Sequence, residues 1–289
     1  MSWRTVVIAS RCKLDTKMGY MVIRGEETRR IFLDEIALVM IENPAVSMTG
    51  CLLEALQKKK IRVIFCGSDR SPYAELAPYY GSADSAGKIR SQIRWTEAAK
   101  DSAWRQILAN KIQQQADHLA ERKHNREAVL LESYIPQIEY QDGTNREGHA
   151  AKVYFNALFG MDFSRGQENA RNAALNYGYG ILLSAFNREI TANGYLTQLG
   201  IHHDNAQNPY NLSSDIMEPF RVLVDREVAK MEMTTFAKEE KHRLVNVLNQ
   251  RVEIIRTEQT VLNAIRIYVR SVLTMLNAEG QDEIAFYRV

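Results

Sequence analysis

The sequence predicts a segregated α+β fold: a small, mostly β N-terminal domain over residues 1–80, a linker at 81–90, and a larger all-α domain over 91–289. Three observations predict it. Short β-branched runs crowd residues 1–70, turn formers cluster in Gly67-Ser-Asp-Arg-Ser-Pro72 and Gly81-Ser-Ala-Asp-Ser-Ala-Gly87, and helical spacing with few breakers fills the remainder. Strands first and helices afterwards argue against a doubly wound sheet, in which the two alternate.

Thr5-Val-Val-Ile-Ala9 and Tyr20-Met-Val-Ile23 read as strands, with Gly19 turning between strands. Ile31-Phe-Leu33 and Ala37-Leu-Val-Met-Ile41 continue the pattern. Ser47 opens a helix over 48–60, striped by Leu52, Leu53 and Leu56 and closed by Lys58-Lys59-Lys60, where cations favour the helix dipole. Arg62-Val-Ile-Phe-Cys66 is one more strand, and residues 73–80 finish the domain. Helices are predicted over 89–132, with a bend at Arg122-Lys123-His124, then over 145–159, 172–199, 218–231, 236–255 and 259–277. Glycines at 178, 180 and 194 within one of these predict close backbone approach or kinks.

A chain of 289 residues holds two modest domains or one large one. With 45% hydrophobic and 25% charged residues it has an ordinary soluble composition. The sequence shows neither a run of eighteen apolar residues nor a signal-peptide pattern, so no membrane association is expected. Cys12, Cys51 and Cys66 are odd in number and lack metal-ligand spacing, which predicts reduced thiols and a cytoplasmic location. A net charge of +2 means that any grip on nucleic acid rests on local patches or a partner.

The chemistry is expected around residues 199–221. There His202 and His203 precede a polar loop, and Asp215 and Glu218 stand three apart on a helix that Ser213 or Ser214 would cap, with Pro219 in its first turn. Hard oxygens with one imidazole suit Mg or Mn. The same residues also read as solvated histidines and as acids favouring a helix dipole. Glu147 opens another helix beside Gly148, which either leaves room for a ligand or backbone or simply marks a charged helix start. His149, two residues on, faces elsewhere and reads as structural.

Four segments occur in order: Arg146-Glu-Gly-His-Ala-Ala-Lys-Val-Tyr-Phe155, Asn172-Ala-Ala-Leu-Asn-Tyr-Gly-Tyr179, Gly200-Ile-His-His203 and Ser214-Asp-Ile-Met-Glu-Pro-Phe-Arg221. Together they resemble the CRISPR-associated integrase family that inserts new spacers ("Cas-one"), over nearly the whole chain. Ser2-Trp-Arg-Thr-Val-Val7 and the Asp-Ile-Met-Glu-Pro-Phe-Arg segment look most like the type II branch. The resemblance implies three ligands for Mg2+ or Mn2+. Glu147 is that of the Glu-Gly-x-x-Ala pattern, His203 stands three after Gly200, and Glu218 is the second acid of Asp-x-x-(Asp/Glu), where many relatives carry Asp. Asp215 then supports them or caps a helix, and His202 stands where the two imidazoles could exchange roles.

The implied reaction is transesterification: a 3′-hydroxyl of a short prespacer duplex attacks a phosphodiester at the leader–repeat end of a CRISPR array. The same site would nick DNA. The enzyme then supplies position and charge neutralisation rather than a nucleophile of its own. Two other readings are a free-standing metal-dependent nuclease and a non-catalytic DNA-binding scaffold. Arg221 is the candidate for the scissile phosphate. Lys88, Arg90, Arg94 and Lys100 after the linker, with Arg243, Arg251, Arg256, Arg266 and Arg270 later, are candidates for the duplex, though each also suits a solvated helix face. Tyr177 and Tyr179 read as core or as residues near DNA ends. The resemblance further implies a homodimer joined through the β domains and bridged by a small "Cas-two" protein into a heterohexamer, and other type II CRISPR proteins as further partners. The tail, Ile284-Ala-Phe-Tyr-Arg-Val289, docks either on a partner or on its own domain.

Overall fold

A computed structural model describes residues 4–68, 72–76, 84–232, 235–280 and 282–289. The N-terminal part comprises β1 (Arg4–Ile8), β2 (Lys13–Lys17), β3 (Tyr20–Arg24), β4 (Thr28–Phe32), β5 (Ile36–Ile41), β6 (Ser47–Met48), α1 (Gly50–Lys58), β7 (Arg62–Cys66) and β8 (Pro72–Leu76). They form two four-stranded sheets, ordered β1-β5-β7-β8 and β4-β3-β2-β6. In the first, β1, β5 and β7 are parallel and β8 antiparallel. Every residue of β5 is buried, as an all-apolar central parallel strand should be. From Leu38 onward its side chains alternate between two cores. Val39 and Ile41 face the local core with Leu52 and Leu56, whereas Leu38 and Met40 join the core of the helical domain.

The helical part comprises α2 (Ser85–Ile93), α3 (Glu97–Glu121), α4 (Asn125–Tyr134), α5 (Arg146–Phe159), α6 (Ala170–Ala192), α7 (Asn211–Ile216), α8 (Glu218–Ala229), α9 (Lys238–Val245) and α10 (Val261–Asn277). Between and after the last helices lie β9 (Arg251–Ile254), β10 (Thr257–Thr260) and β11 (Tyr287–Arg288). The α+β order stands, with β structure first and helices after it. The predicted bend at 122–124 is the break between α3 and α4. At Gly178 a Cβ would lie 2.4 Å from Val224 Cγ1, so α6 and α8 meet backbone to side chain there, the close approach that the glycine implied.

Five expectations need correction. Residues 85–90 of the expected linker belong to α2, whereas 77–83 lie outside the described residues. The helix expected from Ser47 starts instead after Thr49, whose hydroxyl accepts the Leu52 N–H at 3.3 Å. Helix 172–199 ends at Ala192, ahead of Gly194 at φ +86°. The second domain is not wholly α: β10-β9-β11 make an antiparallel sheet, and β9 falls where helical spacing predicts a helix over 236–255. Finally, Asp215 and Glu218 lie on separate helices. A continuous helix would need an N–H on residue 219 to reach the Asp215 carbonyl, and Pro219 has none, so the chain breaks at Met217.

Candidate active site

Helix α5 places Glu147 in its first turn. The Asp142 carboxylate accepts the N–H groups of Arg146 at 2.7 Å and Glu147 at 3.0 Å, and Asn145 Oδ1 accepts that of Gly148 at 3.2 Å. These satisfy orphan donors of the helix start. A Cβ on Gly148 would lie 2.6 Å from Asn145 Oδ1, so the cap itself occupies the room that the sequence offered to a ligand. His149 is exposed.

The His202–His203 loop is organised by Asp215, which is fully buried. Asp215 Oδ2 accepts the N–H of Ile201 at 2.7 Å and of His202 at 3.0 Å, and Oδ1 accepts the N–H of His203 at 3.1 Å. Oδ1 also pairs with His203 Nδ1. The loop can wrap this closely only because residue 200 is glycine: a Cβ there would lie 2.3 Å from the His203 carbonyl oxygen and 2.7 Å from Asp215 Oδ2. Asn211 braces the loop from behind, donating from Nδ2 to the carbonyls of Gln198 at 3.1 Å and Asn205 at 3.0 Å. The Asp215 hydrogen bond raises the His203 imidazole's pKa against its partial burial, with Glu147 and Glu218 adding to the rise. His202 is fixed differently, stacked on Trp104 with centroids 4.2 Å apart and planes 3° from parallel. Of the two imidazoles, His203 is therefore the one whose Nδ1 is locked and whose Nε2 remains for a ligand.

Glu218 opens α8 and is 4% exposed. Its Oε1 lies 2.8 Å from Arg221 Nε, and its Oε2 lies 2.5 Å from Lys111 Nζ, which in turn donates to Glu147 Oε1 at 2.7 Å. Burial pushes the Glu218 carboxyl up, but Arg221 and Lys111 outweigh it and hold the group below the ordinary glutamate range. The same balance raises Lys111: burial opposes its charge, and Glu218 and Glu147 overcome that. Lys111 comes from α3, where Trp104, Lys111 and His118 recur every seven residues along one face. That face meets, in turn, His202, the two glutamates, and the Tyr154 hydroxyl at 2.7 Å.

Glu147 and Glu218 are thus joined through one ammonium, with His203 within electrostatic reach of both. Among the described residues, no three His, Cys, Asp or Glu side chains close to metal-ligand spacing. The donor set nevertheless fits a hard divalent ion. Two carboxylates from different helices already converge there on one cation, Glu218 Oε2 at 2.5 Å and Glu147 Oε1 at 2.7 Å from the Lys111 ammonium, and carboxylate oxygens are what such an ion takes.

Arg221 is half-buried and engaged, with its guanidinium 4.7 Å from the Tyr179 ring centre as well as on Glu218. Tyr179 donates in turn to the fully buried Asp225, whose pKa burial lifts to about 7 against the pull of Tyr179 and Arg221. Tyr177 is buried and donates to Glu42 at 2.9 Å. Both tyrosines therefore serve packing. Lys88 and Arg270 line one groove, and Arg90 and Arg94 an adjoining one, where α2 meets the end of α10. Arg251 lines a separate pocket with His118, Arg122, Arg226 and Lys230. Lys100 pairs with Glu97 and Arg243 with Glu227, Arg256 lies in the exposed β9–β10 turn, and Arg266 is half-buried. The tail packs on its own domain: Tyr287 is buried and its strand pairs with β9.

Residues 5–246 match the family model for CRISPR associated protein Cas1. The chain belongs to the Cas1 family. It is 32% identical over 271 residues to the CRISPR-associated endonuclease Cas1 of Neisseria meningitidis serogroup C (strain 8013), covering 92% of this chain and 89% of that one. A second Cas1 endonuclease, from Francisella tularensis subsp. novicida, is 25% identical over 240 residues, or 75% of each chain. Two solved structures share the fold across 98% of this chain. A casposase bound to integration product has a TM-score of 0.79 at 17% identity and is covered over 92% of its chain. A Cas1 protein from Thermotoga maritima has a TM-score of 0.78 at 16% identity and is covered over 99%. The protein is an enzyme of this CRISPR-associated endonuclease family, and the order of its β and α parts is that of the Cas1 fold. No helix among the described residues is long and apolar enough to cross a membrane.

Proposed function

We propose that the protein is a metal-dependent DNA integrase that inserts short prespacer duplexes at the leader–repeat end of a CRISPR array. The observation carrying this reading is the meeting of Glu147 and Glu218 on one buried cation beside a histidine locked by Asp215. Glu147, His203 and Glu218 would hold Mg2+ or Mn2+. Such an ion, when bound, neutralises charge on the phosphate and lowers the pKa of an oxygen nucleophile.

The chain's own residues do the rest. Asp215 keeps the proton of His203 on Nδ1, so that Nε2 keeps a free electron pair. Arg221 steadies Glu218 through Oε1, leaving Oε2 toward the site. The attacking 3′-oxygen forms a bond to phosphorus, the bond to the old 3′-oxygen breaks, and the proton leaves with that oxygen or with solvent. No protein nucleophile is needed. With water in place of the 3′-hydroxyl, the same site nicks DNA.

The fold shared with a casposase solved on integration product supports joining over hydrolysis alone. Lys88, Arg90, Arg94 and Arg270, gathered at the α2–α10 edge, would track the duplex backbone. Homologous folds occur in a Cas6-RT-Cas1–Cas2 complex, which supports a Cas2 partner. A homodimer through the β domain is supported by the open edge at β4, where the exposed rings of Tyr20 and Phe32 pack at a tilt, 5.2 Å between centroids. The type II placement rests on the opening strand and the Asp215–Arg221 wording, and the three free thiols suit the cytoplasm.

The test incubates the protein and its Cas2 partner with labelled donor duplex and a leader–repeat plasmid. Covalent joining that requires Mg2+ or Mn2+ is the expected result. Fragments without joining would favour a nuclease, and neither product a scaffold.

A further inference from the structure

We propose that Lys111 is a built-in occupant of the metal site, a tethered cation that a divalent ion must displace and that a DNA phosphate then receives. The inference rests on the metal reading above. Lys111 is 7% exposed and makes ion pairs with two carboxylates from different helices, Glu147 on α5 and Glu218 on α8. Two glutamates brought together in a buried site repel each other unless a positive charge lies between them. The ammonium supplies that charge without an ion, so the site stays folded before metal binds.

The two cations around Glu218 have different parts. Arg221 holds Oε1 and is itself pinned under the Tyr179 ring, so it stays. Lys111 takes Oε2 from the end of a flexible four-carbon stem that can swing away. A divalent ion held by Glu147 and Glu218 would take the place between the two carboxylates that the ammonium now fills. The ammonium and the ion therefore compete for one position. Once displaced, the ammonium needs a new anion, and the backbone of a DNA strand laid across the site provides one. Metal and DNA then bind cooperatively, each strengthening the other by the same factor. Without DNA the site is held idle, which guards against indiscriminate cleavage.

Mn2+ titrations followed by electron paramagnetic resonance test this on the full chain, as wild type, Lys111→Met, Lys111→Gln and Glu218→Gln, each with and without a donor duplex. Both lysine variants are expected to bind Mn2+ at least about tenfold tighter than wild type when DNA is absent. DNA should tighten Mn2+ binding by wild type and leave the lysine variants nearly unchanged. Without metal, Lys111→Met should melt below wild type, and Mn2+ should raise its midpoint by more. Lys111→Gln keeps a donor toward Glu147 and so removes the charge without emptying the space. Equal or weaker Mn2+ binding by both lysine variants would overturn the inference. Undiminished Mn2+ binding by Glu218→Gln would instead reject the metal reading beneath it.

Discussion

Replacing Asp215 by Asn exchanges one oxygen for an NH2 group and should disable the site. Four donors converge on that buried carboxylate: the backbone N–H groups of Ile201, His202 and His203, and His203 Nδ1. An amide oxygen in the place of Oδ2 keeps the first two. The NH2 group in the place of Oδ1 then faces two donors, so two charge-assisted bonds are lost, at about 1.5–3 kcal/mol each. The imidazole has one escape, which is to move its proton to Nε2 and accept at Nδ1. That tautomer removes the electron pair a metal needs. Losing the hydrogen bond that orients a ligating histidine typically weakens metal binding about 10–100-fold. The assay is a Mn2+ titration of Asp215→Asn beside a joining reaction, with circular dichroism to show that the helices persist. Wild-type Mn2+ affinity and wild-type joining would refute the role given to Asp215.

Other outcomes follow from the same geometry. Glu218→Gln should keep the fold yet reduce joining at least about a hundredfold, read as labelled donor attached to plasmid. Glu218→Ala is a poorer probe, because it would leave Lys111 and Arg221 buried with less counter-charge, and its melting midpoint should fall as well. Asp225 gives a pH signature. Burial raises its folded-state pKa to about 7, so below that value the folded chain keeps a proton that the unfolded chain has already lost at ordinary carboxyl pH. Stability therefore falls as pH rises between the two values, by at most about 4 kcal/mol. Asp225→Asn should be more stable than wild type at pH 8, with the gap closing toward pH 4; a gap independent of pH would contradict this. Neutralising Arg90, Arg94 and Arg270 together should flatten the dependence of log K on log salt by about 0.9 for each DNA phosphate no longer neutralised. An unchanged slope would move the duplex path elsewhere.

The first domain was legible because β5 and β7 are short, apolar and β-branched, but β2 was not. Its sequence, Lys13-Leu-Asp-Thr-Lys17, is polar apart from Leu14, and it exists through pairing with β3 and β6. The β9–β10 hairpin escaped for a sharper reason. Its turn residues, Ile255 and Arg256, adopt φ of +48° and +59° without glycine or asparagine, so the usual sign of a two-residue turn is missing. Pro219 did carry the sign of the α7–α8 break, since a helix begun at Asp215 would have placed it beyond the first turn. In the site, Glu147, His203, Glu218 and Asp215 could be picked out as chemically suited residues and ordered by resemblance. Lys111 could not. Its partners are 36 and 107 residues away, and beside Gln113, Gln114 and Gln115 it reads as one more polar residue on a long helix. The seven-residue recurrence of Trp104, Lys111 and His118 places them on one helix face, but each meets a different neighbour, which the spacing does not name.

Whether Glu147, His203 and Glu218 gather one divalent ion is tested most directly by crystals grown with Mn2+ and measured near the manganese absorption edge. One strong anomalous peak is expected, bonded to all three side chains at about 2.0–2.3 Å, with the Lys111 ammonium withdrawn from between the glutamates. A peak bonded to other residues, or none at saturating Mn2+ with Lys111 still bridging the two carboxylates, would contradict the shared site.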